Sequence, residues 1–389
     1  RRLSTAEALR EIPTLEPRGL RGGVSYFDAA FDDARLLINL VQTSVDLGGV
    51  CLNYAPAREL LKQSGRICGL VAEDGETGRT FHIAARVVVN AAGPFSDQVQ
   101  RLDNPEAEDR IVPSQGSHIV LSREFLPCSA ALLVPRTRDA RVVFAIPWHD
   151  HVLVGTTDTA LADAPLEPQP RETEIDFLLE EVAPYLAKKP ERRDIRTVFA
   201  GVRPLVKSGN SRRTSQLGRD HAVSVSSSGL VSVVGGKWTT YRKMAEDCVD
   251  VAARVAELPP KPCQTMALAI HGGRGGAVDG VLALYGSDGP AVKQLTSSRQ
   301  DWSQPLDPRL PYLAGQVIWA ARYEMARTVE DVLGRRMRVL FIDAEVALAA
   351  APKVAELLAS ELGRDAAWQA EQVERFKTLA ELYRPKSTE

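Results

Sequence analysis

The side chains best suited to chemistry are a few cations and histidines, each close to a glycine or proline that constrains the local backbone. Arg203 in "AGVRPLV" precedes Pro204, which holds the arginine's backbone towards the extended region. Arg219 lies in the loop "QLGRD", and Lys237 follows the pair Gly235-Gly236. Three cations on loops near one sheet edge suit a phosphate or carboxylate, which arginine grips with two parallel hydrogen bonds. The competing reading is the ordinary one for Lys and Arg, solvated or paired on the surface. His118 in "SQGSHIV", and His149 and His151 in "WHDHVLVGTTD", lie near loop ends in a β-rich stretch. A lone histidine is more often structural than catalytic. Thr156, Thr157 and Asp158 follow Gly155 in a strand-end turn, polar enough for a ligand and equally good as plain turn chemistry.

Two strand ends carry the glycines. "LVSVVGGKWTTYRKMAEDC" (230–248) passes from a buried strand through Gly235-Gly236 into a helical pattern. Glycine lets a polar or anionic group approach the backbone, and helix-start N–H groups donate to it. "VVVNAAGPFSD" (87–97) repeats the arrangement, with Gly93 and Pro94 after a buried strand and Ser96 and Asp97 as candidate caps of the next helix. Two such junctions in one parallel sheet would open at the same carboxyl edge, where ligands bind in this class. The dinucleotide fingerprint GxGxxG has no match in a strand-turn-helix context, and "GGRGG" (272–276) sits in a Pro/Gly-rich linker.

The elements that must position these residues follow from the apolar spacing. "STAEALREIP" has Ser4 and Glu7 at capping-box spacing, with Pro13 to end the helix. Residues 31–49 form an amphipathic helix closed by Gly48-Gly49. A hairpin turning at Asp74 to Gly78 and the buried strand Val87 to Asn90 complete an α/β pattern. Residues 111–157 read as short strands of an antiparallel sheet, 172–187 as a helix, "IRTVFAGVRPLV" as a strand and turn, and the spacing beyond 276 as almost wholly helical. The chain has 389 residues, 44% hydrophobic, with 48 Lys plus Arg against 50 Asp plus Glu, which gives no support to nucleic-acid binding or a polybasic anchor. Five dispersed cysteines without metal spacing indicate a reduced intracellular protein with neither disulfides nor zinc. No run of about 20 apolar residues is present to span a membrane. The opening Arg1-Arg2-Leu3 suggests a fragment.

Taken in order, "GGVSYFDAAFDDARL" (22–36), "VVVNAAGPFSD", "QGSHIVL" (115–121), "FAIPW" and "VGTTDT" (144–159), "AGVRPL", "GGKWTTYRKMAED" (235–247) and "EMARTVEDVLGRRMRVLFIDA" (324–344) resemble the FAD-dependent, aerobic, quinone-linked glycerol-3-phosphate dehydrogenases. The resemblance implies an α/β plus α fold. An incomplete Rossmann-like FAD-binding domain of the glutathione-reductase/D-amino-acid-oxidase type would span 31–110 and 196–258. An antiparallel β substrate domain would take 1–30 and 111–195, a linker 259–276, and a C-terminal helical domain 277–389. It further implies oxidation of sn-glycerol 3-phosphate to dihydroxyacetone phosphate by hydride transfer to FAD, with electrons passed to a membrane quinone.

By the same resemblance Arg203 and Arg219 hold the substrate phosphate or hydroxyls, Lys237 meets substrate and flavin, and His118 is the base or polariser, with a pKa suited to transfer near neutrality. Ala92, Gly93, Gly201, Gly235, Gly236, Lys237, Trp238, Thr239 and Thr240 contact FAD. The implied location is cytoplasmic, peripheral on the inner face of the cell membrane, and a homodimer is left open. The family's N-terminal βαβ unit, roughly 30 residues, would precede Arg1. The chain alone is therefore expected to bind FAD poorly or not at all, and to be inactive. Two other readings stand beside this one: an oxidase of the same substrate using oxygen, and a non-enzymatic fragment with an interaction role.

Overall fold

The computed structural model describes residues 1–386 apart from 136, 139–140, 208–219 and 276–278. The chain begins with β1 (Arg2–Leu3), α1 (Thr5–Glu11) and β2 (Gly23–Val24), which pairs back on β1. Ser4 caps α1 as its spacing predicts, with Ser4 N donating to Glu7 Oε2 at 2.8 Å and Glu7 N to Ser4 Oγ at 3.3 Å. α2 (Asp33–Asp46) is capped by Asp32, whose carboxylate accepts from Arg35 N at 2.8 Å, and ends at Gly48 with φ +88°. A meander follows: β3 (Ala57–Gln63), β4 (Arg66–Glu73) and β5 (Thr80–Ala84), turning between the last two at the expected Asp74 to Gly78.

The predicted buried strand at 87–90 reduces to β6 (Val89–Asn90), with Val89 facing outwards. A 3-10 turn over Gly93–Phe95 leads into α3 (Ser96–Asp103). Ser96 and Asp97 do not cap it. The helix starts at Ser96 itself, whose hydroxyl is buried, and Asp97 Oδ2 instead accepts from Arg110 N at 3.1 Å and Ile111 N at 3.0 Å, tying down the next strand.

That strand, β7 (Ile111–Ser122), is the spine of a six-stranded sheet with β8 (Leu132–Val134), β9 (Val143–Trp148), β10 (His151–Gly155) and β11 (Thr159–Ala160). α4 (Glu172–Val182) covers one face, and β12 (Ile195–Val206) closes the other edge of β7. The expected "strand and turn" at 195–206 is one uninterrupted strand, in which Pro204 lies opposite Pro113. Residues 196–206, grouped from the sequence with the FAD-binding part, thus belong by hydrogen bonding to the large antiparallel sheet. Residues Ala8, Ile12 and Leu15 share a core with Ile119, Leu121, Leu178 and Val182.

β13 (His221–Val225) pairs antiparallel with β14 (Val231–Gly235), which runs parallel to β6 with Ser232 opposite Asn90. The two glycine junctions therefore do end neighbouring parallel strands. α5 (Tyr241–Val255) starts only after a 3-10 turn over Trp238–Thr240. Beyond the extended segment, a 3-10 stretch at Gly280–Asp288 precedes α6 (Gly289–Ser297), α7 (Ala314–Tyr323), a π segment over Asp331–Arg336, α8 (Val339–Ile342), α9 (Ala344–Leu362) and α10 (Ala366–Glu381). Val317, Leu333, Leu340, Leu358 and Phe376 fill the core of this helical part, and Trp148 and Phe199 of the sheet pack against it. The fold is thus α/β with antiparallel sheets plus a C-terminal helical region, as expected.

Candidate active site

Side chains alternate between the two faces of a strand, so strand register decides which residues meet. On β7, Ile119 and Leu121 point into the core beneath α4, and Gly116 and His118 point the other way. β12 places Phe199 opposite His118, Gly201 opposite Gly116 and Arg203 opposite Ser114, and β10 places Gly155 on the far side of His118. The result is a shelf floored by Gly116, Gly155 and Gly201 that carries His118 and Arg203.

The glycines are necessary. A Cβ on Gly155 would lie 2.1 Å from His118 Cδ2, and one on Gly116 would lie 2.3 Å from Arg203 Nη2. Both side chains lie flat over backbone that has no side chain of its own. A Cβ on Gly201 would meet nothing within 4 Å, so the shelf is open there.

His118 stacks on Phe199 with centroids 5.1 Å apart and planes 15° from parallel. Its pKa is lowered to about 4, first by burial and then by the Arg203 charge, with the Gly116 backbone opposing. The expected pKa near neutrality is thereby corrected: the ring is neutral at pH 7. Nδ1 is buried without a well-formed hydrogen bond among the described residues.

Arg203 rests on the turn after β10, donating from Nη1 to Thr157 O at 3.1 Å and from Nη2 to Thr156 Oγ1 at 3.2 Å. The polar turn at 156–158 thus serves the arginine, a role its composition left open. Thr157 Oγ1 also accepts from Ser117 N at 2.9 Å and donates to Glu174 Oε1 at 2.9 Å. Sequence reasoning missed Phe199, Glu174 and the shelf glycines Gly116 and Gly155. The one local signal for the last two was a glycine inside a strand pattern.

The remaining expected residues sit around this shelf. The Gly93–Phe95 turn packs against both β12 and β14, so the segments bearing Gly93, Arg203 and Gly236 lie side by side. Gly93 adopts φ +56° with open space where its Cβ would be, which suits close approach of a cofactor beside Ala92. Gly235 and Gly236 also require positive φ, +75° and +76°. Their missing Cβ atoms face protein instead, Val206 Cγ2 at 2.5 Å and Met244 Sδ at 2.4 Å, so these glycines are set by the turn and its packing. Lys237, Trp238, Thr239 and Thr240 are exposed, Thr240 Oγ1 donates to Lys237 O at 3.0 Å, and the Trp238 ring lies 6.4 Å from Phe31. Arg219 lies outside the described residues. His149 pairs with Asp32 at 3.0 Å and His151 Nδ1 with His149 O at 3.0 Å, which makes both structural in this arrangement. Two concavities elsewhere, about 410 Å³ beside Tyr54 and Phe376 and about 600 Å³ beside Lys62 and Ser228, include none of the shelf residues.

A model of the FAD dependent oxidoreductase family matches residues 1–242, and one of the C-terminal domain of alpha-glycerophosphate oxidase matches residues 231–369. The mitochondrial glycerol-3-phosphate dehydrogenase of Arabidopsis thaliana is 34% identical over 419 residues, covering 98% of this chain and 66% of the relative. Its Homo sapiens counterpart is 34% identical over 401 residues, covering 96% of this chain and 55% of the relative. The chain thus spans between half and two-thirds of the length of these curated relatives. A glycerol-3-phosphate dehydrogenase from Bacillus halodurans, solved in complex with FAD, matches 100% of this chain and 81% of its own with a TM-score of 0.86 at 26% identity.

Proposed function

The chain belongs to the FAD-dependent oxidoreductase family, in its glycerol-3-phosphate dehydrogenase group, and from that premise we propose that it oxidises sn-glycerol 3-phosphate to dihydroxyacetone phosphate. The observation that carries the reading is the shelf itself: an arginine held by its two Nη atoms beside a neutral, half-buried histidine, both seated over glycines, with open space at Gly201. FAD, when bound, supplies the hydride acceptor. Gly93 and Gly201 offer it open backbone, with Ala92, Gly235, Gly236 and the exposed Lys237 to Thr240 around them.

Arg203, with Arg219 and Lys237, binds the phosphorylated end of the substrate. With Nδ1 inaccessible, Nε2 of His118 receives the C2 hydroxyl proton. Burial is the larger cause of the imidazole's low pKa; a phosphate dianion at Arg203 offsets the smaller one, the arginine's charge. Electrons then pass to a quinone, with the protein peripheral on the inner face of the cell membrane. No helix among the described residues is long and apolar enough to cross one. The match to the alpha-glycerophosphate oxidase C-terminal domain favours oxygen as a second reading of the acceptor.

The test is the visible absorption spectrum of the protein with FAD added, followed by turnover of sn-glycerol 3-phosphate with a dye acceptor alongside peroxide measurement. Arg203→Lys is expected to raise KM at least tenfold and His118→Asn to lower kcat by 10²-fold or more, the range of general acid-base catalysis. Undiminished activity in both variants would overturn the assignment.

A further inference from the structure

Glu174 is a carboxylate, 6% exposed, in the first turn of α4. Oε1 accepts from Thr157 Oγ1 at 2.9 Å and Thr159 Oγ1 at 2.6 Å. Oε2 accepts from Gln115 Nε2 at 2.8 Å, Ser117 Oγ at 2.9 Å and Arg171 N at 2.9 Å. All five donors are neutral. Burial raises the pKa, but the bonds from Arg171, Thr159, Thr157 and Ser117 outweigh it and leave the group more acidic than usual. Burying a carboxylate with only neutral partners is expensive unless its lone pairs are filled, and here they are. Capping α4 needs one of these bonds. Of the other four, two reach β7 at Gln115 and Ser117, one the turn after β10 at Thr157 and one β11 at Thr159, so the carboxylate ties the strand that bears His118 to the turn on which Arg203 rests.

The connection to Arg203 is direct. Thr157, held by Glu174 through its hydroxyl, offers its carbonyl to Arg203 Nη1, and its neighbour Thr156 accepts from Nη2. Ser117, held by the same carboxylate, lies between Gly116 under Arg203 and His118 over Gly155. We propose that Glu174 is a positioning residue which, from the far face of the sheet, fixes the peptide on which the Arg203 guanidinium rests and so sets affinity for the phosphorylated substrate. This rests on the functional reading above.

The experiment compares FAD-loaded wild type, Glu174→Ala, Glu174→Gln, Thr157→Val and Arg203→Lys. Glu174→Ala is expected to raise KM for sn-glycerol 3-phosphate about tenfold while kcat falls less than threefold. Glu174→Gln, which keeps the shape and can bond rotated hydroxyls, should recover most of the loss, and Thr157→Val should show a smaller rise of the same kind. Added to Arg203→Lys, Glu174→Ala should change KM by less than twofold, because both act on one contact. Independent, multiplying effects in that cycle, or a loss of thermal stability with KM unchanged, would overturn the proposal. Should wild type fail to oxidise sn-glycerol 3-phosphate, the functional reading falls. Positioning is then decided by hydrogen exchange of the Ser117 amide, at least tenfold faster in Glu174→Ala if correct and unchanged if not.

Discussion

His118 illustrates how far a residue's chemistry is set by what surrounds it. Its folded pKa of about 4 lies below the ordinary 6.5. Between those values the unfolded chain binds a proton that the folded chain does not. Stability from this site therefore rises with pH from 4 to 6.5 and is fully present above. Replacing His118 with Asn removes that titration, so the thermal midpoint of the variant should fall less steeply than wild type as pH drops from 6.5 to 4. Parallel slopes would show that the ring protonates freely in the fold. The sequence offered His118 and Arg203 as candidates, Arg203 next to Pro204 and His118 within a stretch that resembles the family, and the strand register brings the two onto one face. The sequence did not identify Phe199 or Glu174, since a stacking partner across a strand pair and a carboxylate arriving from 57 residues away depend on register and packing.

At the scale of elements, local signals read well where the cause is local. The Ser4-Glu7 cap, the end of α2 at Gly48 and the hairpin turn at Asp74 to Gly78 each need only a few neighbouring residues. Ser96 and Asp97 misled because the helix begins after an intervening 3-10 turn, and β12 misled because its pairing is fixed by β7. The shelf glycines let the sheet itself be tested. In Gly155→Ala the methyl meets a stiff, stacked imidazole, and should cost about 1–3 kcal/mol in denaturant unfolding. In Gly116→Ala it meets the far end of a flexible arginine. That change should cost under about 1 kcal/mol in stability, yet raise KM by displacing Arg203 from Thr156 and Thr157. Equal destabilisation by the two would mean that His118 is not fixed over Gly155.

At the scale of the whole molecule, α2 is joined to the helical part by charge at both of its ends. At the carboxyl end, His271 Nδ1 and Nε2 lie 2.7 Å from Asp46 and 2.8 Å from Asp288. Burial lowers its pKa, but the bonds to Asp46 and Asp288 more than offset this and raise it. A raised histidine contributes stability below pH 6.5, and the contribution is lost as pH climbs through the folded value. His271→Gln should therefore unfold at lower temperature than wild type in mildly acidic buffer, with the gap closing in alkali, the reverse of the His118 dependence.

At the amino end, Arg35 is buried against Glu324, lies under the Tyr285 ring at 4.6 Å and donates to Arg336 O at 3.2 Å. Glu324 Oε1 also accepts from Trp319 Nε1 at 3.2 Å. Burial alone would lower the arginine's pKa, and the Glu324 charge holds it above its usual value. A pair this enclosed is costly to break from one side, because the surviving charge has no water to turn to. Glu324→Ala should lose about 3–5 kcal/mol in denaturant unfolding. The double change Arg35→Met, Glu324→Leu should recover most of that, since an apolar pair of similar size strands no charge. A loss under about 1 kcal/mol in the single variant would mean that water reaches Arg35, and that α2 is held to the helices by apolar packing rather than by this pair.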